Sequence, residues 1–260
     1  MAANPSDIIA AFVPDAISVQ EAADKLAAPA RHAFEKDGDL GKTEHELERL
    51  WTAVTSAAEQ TPHGQQDKLV DIVRAIKEMP QPTHESKKLE IWGEEQRWEQ
   101  LPLFGAKARE GLDIASDKPD DSFVNLNAFY ARVTAANVCD LSLYAIWILR
   151  AALEDPEEDA IATDTKPASL KAASVWLVYA AETLSKLSKE KKQFDGKMAK
   201  PGRSLSIFKD APGWGGFCED RWETWVDRLT PLNEASIATD AKPLVGQALE
   251  AASKVTKSSA

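Results

Sequence analysis

Cysteine is nearly absent from this chain, with two in 260 residues. Cys139 and Cys218 stand alone, without CxxC spacing, which excludes a disulfide scaffold and a cysteine-rich zinc site and points to a reducing compartment. Histidine is scarce too. His32, His45, His63 and His84 form neither HExxH nor Glu-x-x-His, so no metal or cofactor is expected. GxSxG, GxGxxG and GxxxxGK[ST] are missing, and Asp120-Asp121 lacks the further aspartate of a DDxxD helix. No catalytic residue is therefore nominated, and an enzyme is not the favoured reading. An unbroken apolar run of about 20 residues, which a membrane span needs, is lacking as well. The best candidate, NVCDLSLYAIWILRAAL, is cut by Asp140 and Arg150, and the N-terminal stretch lacks the basic flank and unbroken core of a signal peptide. Positive charge is in deficit, with a net charge of −11, which opposes nucleic-acid and anionic-membrane binding. A cytoplasmic location follows from these absences.

What the sequence does contain is helical periodicity. SVQE (18–21) and TEHE (43–46) have capping-box spacing. After the second box, Leu47, Leu50, Trp51, Val54 and Ala58 recur on one face, and Leu69, Ile72, Val73 and Ile76 do the same further on. IWGEEQRWEQLPLFG reads as a short helix, a bend and another helix from Pro102. Asp120, Asp121 or Ser122 can cap the next helix, which runs from Phe123 to Glu154 with a break near 138–142. Pro167 opens a helix whose 172–181 section is apolar nearly all round and therefore central. Trp222, Trp225, Val226 and Leu229 make one face of a late helix, with Arg221 four residues before Trp225. Strand signals are scarce. The fold class is all-α, a single irregular multi-helix bundle over 1–260 with a long basic loop near 186–212.

That loop changes the character of the chain. Residues 186–209 hold eight basic residues against two acidic ones. A solvated insertion is the plain reading. The alternative is an anion-binding or acidic-partner loop using Lys189, Lys191, Lys192, Lys197, Lys200 and Arg203.

LPLFGAKARE (101–110), NLNAFYARVTA (125–135), SLYAIWILRAALE (142–154), WLVYAAETL (176–184) and GFCEDRWETWVDRL (216–229) occur in this order. Together they resemble a fungal all-helical domain family of unknown function, over about residues 65–230. Helices in 1–60 and 233–254 would pack on that region. The resemblance implies filamentous fungi as the source and a helical architecture. It implies no activity, cofactor or catalytic residue. The lysine-rich 186–200 segment departs from the family pattern, so a function there would be particular to this chain.

The polar residues that open the most apolar stretch pose a question of burial. On a continuous helix Asn137 and Asp140 would lie on the buried stripe of Leu126, Tyr130, Val133, Tyr144 and Trp147. If the helix breaks, Asp140 caps the next one and Asn137 takes a left-handed terminus. Otherwise Asn125, Asn127, Arg132, Asn137 and Asp140, walled by Tyr144 and Trp147, would form an inter-helix ligand pocket, or Asp140 would pair with a buried arginine. Trp92, Trp98, Arg221 and Trp225 are the candidates for a partner surface, because Trp and Arg dominate binding hot spots. Two functions follow. One is a non-enzymatic module with a protein partner. The other is a small-molecule binder or cofactor-free enzyme using the Asn125–Trp147 pocket. Nucleic acid is not an expected partner, nor is a membrane.

Overall fold

The computed structural model describes residues 4–12, 17–117, 119–195, 197–205, 214–234 and 240–257. Lys209 and the 206–213 part of the basic loop lie outside them, as do 235–239. The fold is all-α and multi-helix, with one two-stranded hairpin among the described residues. Two compact units divide the chain, Met1–Asp117 and Lys118–Ala260.

The first unit is built on α2 (Val19–Glu35) packed against α3 (Leu40–Gln60), with α1 (Pro5–Phe12) across both, α4 (Asp67–Lys77) on α2 and α5 (Phe104–Ser116) on α3. Ser18 caps α2, its hydroxyl accepting from the Glu21 amide at 3.2 Å, in keeping with the SVQE box. The TEHE expectation is corrected. α3 starts four residues earlier, capped by Asp39, and Thr43 is buried inside it. The cause is Gly38, whose φ of +57° turns the chain directly after α2 while its amide and that of Asp39 return to the Phe34 and Ala33 carbonyls. Leu47, Leu50, Trp51, Val54 and Ala58 are all buried.

The segment after α4 also differs from expectation. β1 (Glu90–Ile91) and β2 (Glu94–Glu95) pair antiparallel around Trp92-Gly93, and only a 3-10 turn at Trp98–Gln100 precedes α5. Leu89 and Ile91 are buried and seat the hairpin, with β1 against α3.

In the second unit α9 (Pro167–Lys189) is central, in contact with α6 (Asp121–Ala135), α7 (Ser142–Leu149), α10 (Glu219–Glu234) and α11 (Lys242–Lys257). A four-residue α8 (Ile161–Asp164) leads into it, and Pro167 stands in its first turn. Asp120 caps α6, accepting from Ser122 at 2.8 Å and Phe123 at 3.3 Å. α6 ends in a Schellman turn. Asn137 is left-handed at φ 55°, its amide bonds the Thr134 carbonyl, and the Val138 amide bonds that of Val133. α7 then restarts and runs into a π-helical turn at Arg150–Glu154, closed by the Asp155 amide on the Arg150 carbonyl.

Candidate functional site

Because the helix breaks at Asn137, Asp140 is not on a buried stripe. Its side chain is 60% exposed. Oδ1 accepts from the Ser142 amide at 3.0 Å and the Ser142 hydroxyl at 2.6 Å, and Oδ2 pairs with Lys192 Nζ. Partial burial disfavours the charged form, but the bonds from Lys192 and Ser142 outweigh it and hold the carboxyl below the usual carboxylate range. The other residues of the supposed pocket are engaged elsewhere. Asn127 is buried, donates to the Phe123 carbonyl and accepts from Trp176 Nε1 at 2.9 Å. Arg132 lies over the Tyr179 ring at 3.8 Å. Tyr144 stacks on Trp147 at 5.1 Å, and Trp147 Nε1 donates to the Met198 carbonyl at 2.8 Å. Asn125 is in α6 and half-buried.

Three of the four partner-surface candidates are corrected. Trp98 is buried, its Nε1 bonding the Ile76 carbonyl at 2.8 Å, with Arg31 5.1 Å from its ring. Arg221 and Trp225 are fully buried too. They converge on Glu154, which sequence reasoning passed over. Glu154 Oε1 accepts from Arg221 Nε at 2.7 Å and Trp225 Nε1 at 2.5 Å, while Oε2 accepts from Arg221 Nη2 at 2.9 Å and the Gly202 amide at 2.7 Å. The remaining Arg221 protons go to the carbonyls of Ala199, Gly216 and Lys200 at 2.9, 2.7 and 3.2 Å. Five donors and four acceptor positions are all used, as a buried charge pair requires. A knot this complete leaves no lone pair or proton for a substrate. It is structural, and it is where the 142–154 and 216–229 blocks meet.

The same knot organises the basic loop. Arg150 donates to the carbonyls of Met198 and Lys200, each at 3.3 Å, and Arg228 to the Leu153 carbonyl and the Ser204 hydroxyl. Lys192 is tied to Asp140 and Ser142, and its carbonyl accepts from Phe217 at 2.7 Å. Gly202 has no room for a side chain, since a Cβ there would sit 2.5 Å from the Glu154 carbonyl carbon. Lys189, Lys191, Lys197 and Arg203 point outward and exposed, with Lys192 and Lys200 half-buried. What looked from composition like a solvated insertion has carbonyls and amides bonded inward at Lys192, Met198, Lys200 and Gly202, while Lys191, Lys197 and Arg203 stand exposed.

Trp92, the fourth candidate, is the reverse case. It is 69% exposed at the hairpin tip. Trp92 has φ 54° and Gly93 φ 80°, the pair of positive values of a type I′ turn. Its Nε1 donates to Glu44 Oε1 on α3 at 2.8 Å, which fixes the direction of the indole. Glu90 and Glu94 are exposed on the two strands, and Glu95 pairs with Lys88 at 2.6 Å.

Residues 51–229, which contain this hairpin and the Glu154 knot, match the family described as protein of unknown function, DUF3632. The chain belongs to the DUF3632 family. No curated protein and no solved structure matches it. Among the described residues of this DUF3632 member, no helix is long and apolar enough to cross a membrane.

Proposed function

We propose that this protein is a non-enzymatic interaction module of the fungal cytosol, and that the Trp92 hairpin is the part that engages a protein partner. The supporting observation is a tryptophan held exposed in a left-handed conformation. Such a backbone costs a side-chain-bearing residue about 1–2 kcal/mol, and asparagine or glycine is the usual occupant of this turn position. Packing does not offset that cost at Trp92, because most of the ring faces water. Backbone strain concentrates at functional sites, and tryptophan is among the residues most enriched in binding hot spots. The Glu44 bond presets the ring, lowering the entropy lost on docking. With Glu90 and Glu94 on the strands beside it, the tip suits an apolar slot with a basic rim.

Trp92→Asn tests the reading. The substitution suits the turn, so thermal stability should rise by about 2–4 °C, equivalent to roughly 1 kcal/mol in a chain this size. The partner recovered stoichiometrically with wild type from the native host should bind the variant at least about tenfold more weakly, as for a hot-spot tryptophan. Ile114→Asn, altering the other highly exposed apolar side chain of the same unit, should leave capture unchanged. A stabilised Trp92→Asn protein that keeps its partner would refute the assignment.

A further inference from the structure

The basic loop of the second unit carries its own signature, independent of the Trp92 hairpin. α9 ends in a Schellman turn in which the Lys191 amide bonds the Ser188 carbonyl at 3.2 Å and the Lys192 amide bonds that of Leu187 at 3.1 Å. Lys191 thereby occupies the left-handed position, φ 54°, which glycine or asparagine ordinarily fills. It is exposed, so no packing compensates the strain. Six residues later Lys197 is exposed, and next to it Met198 shows 39% of its surface although its carbonyl is held from inside by Trp147 and Arg150. Lys200 and Arg203 follow on carbonyls and amides fixed by Arg221 and Asp155.

A mobile lysine tail needs none of this. Here the cations stand on a backbone held by a buried ion pair, with one adaptable apolar side chain between two of them. We infer that the surface of Lys191, Lys197, Met198, Lys200 and Arg203 is a docking platform for an acidic protein segment that carries an apolar residue among its carboxylates. Charge complementarity names the partner's sign. Exposed Met198 favours a peptide over a bare polyanion, since thioether side chains suit adaptable apolar contacts. The chain's net charge of −11 also opposes an extended polyphosphate more than a short segment that meets only this patch.

The full chain should be titrated with a fluorescein-labelled twelve-residue peptide repeating Glu-Glu-Leu, with its Gln-Gln-Leu counterpart, with a single-stranded RNA 20-mer and with phosphatidylserine vesicles. The Glu-Glu-Leu peptide should bind, weaken with salt, and bind far better than its glutamine counterpart. Lys191→Asn and Lys197→Gln should each weaken it about threefold, the scale of one exposed charge pair. Lys191→Asn should also raise the melting temperature, since it relieves the left-handed lysine, so its loss of affinity is not a folding defect. Met198→Gln should weaken the Glu-Glu-Leu peptide and leave unchanged the binding of a twelve-residue polyglutamate peptide titrated alongside it. Failure of the peptide to bind, or affinity indifferent to all three substitutions, overturns the inference. Tighter binding of RNA or vesicles than of the peptide overturns it in favour of those partners.

Discussion

Two ion pairs anchor the same basic loop, and they are opposites. Glu154 and Arg221 are wholly buried, with 0% of either side chain open to water, and every donor and acceptor is used. Asp140 and Lys192 meet at the surface, with the aspartate side chain 60% exposed and one helix restart to serve. Burial removes the option of solvation, so the first pair must be complete to exist at all. The second can open and be rehydrated at little loss. The loop is thus fixed from within and only trimmed from without, with Lys191 and Lys197 exposed on its outer side.

Removing the buried acceptor should have the largest effect. Glu154→Gln keeps the shape but turns an NH2 group towards either the Gly202 amide and Arg221 Nη2 or the Trp225 indole and Arg221 Nε, and leaves the guanidinium buried without a counter-charge. A loss of about 3–5 kcal/mol in urea-unfolding stability is expected. A loss no greater than that of Asp140→Asn would erase the contrast between the two pairs. Gly202→Ala comes next, at about 1–3 kcal/mol, because its new methyl must displace the Glu154 backbone and side chain. Its effect should be local as well, so trypsin should cut after Lys197 and Arg203 faster than in wild type. Unchanged cleavage would mean that the knot does not hold the loop.

Much of the helical frame was legible because its signals are local. Ser18, Asp120 and Pro167 mark helix starts by their own side chains, and the Leu47–Ala58 face declares itself by spacing. The break at Asn137 was readable as one of three alternatives, since nothing local decides between a cap and a buried partner. Local signals failed where a neighbour overrode them. Gly38 moved the start of α3 ahead of its capping box, and the hairpin was missed because Trp-Gly imitates none of the usual turn pairs and its strands are two residues each. Glu154 was illegible for a different reason. The π turn shifts it off the helical register on which a face is counted, and its partners lie 48 to 71 residues away in sequence. An acidic residue closing an apolar helix, with arginine and tryptophan four apart in a later one, was the available hint.

The smallest expected effect belongs to the exposed pair, and its sign can be worked through. In Asp140→Asn the amide oxygen still accepts from the Ser142 amide, so the helix restart survives, and only the charge facing Lys192 is lost. At neutral pH the cost should stay below about 1 kcal/mol and shrink further in high salt. Folding holds the Asp140 carboxyl below its ordinary value, so the unfolded chain takes up this proton first as pH falls. The stabilisation is therefore fully present above the ordinary aspartate value of about 4 and disappears as pH drops below it towards the folded value. Urea midpoints of wild type and Asp140→Asn should differ by a constant small amount from pH 8 to pH 6 and converge under acid. A gap that widens on acidification would mean that Asp140 is held by something other than Lys192 and Ser142.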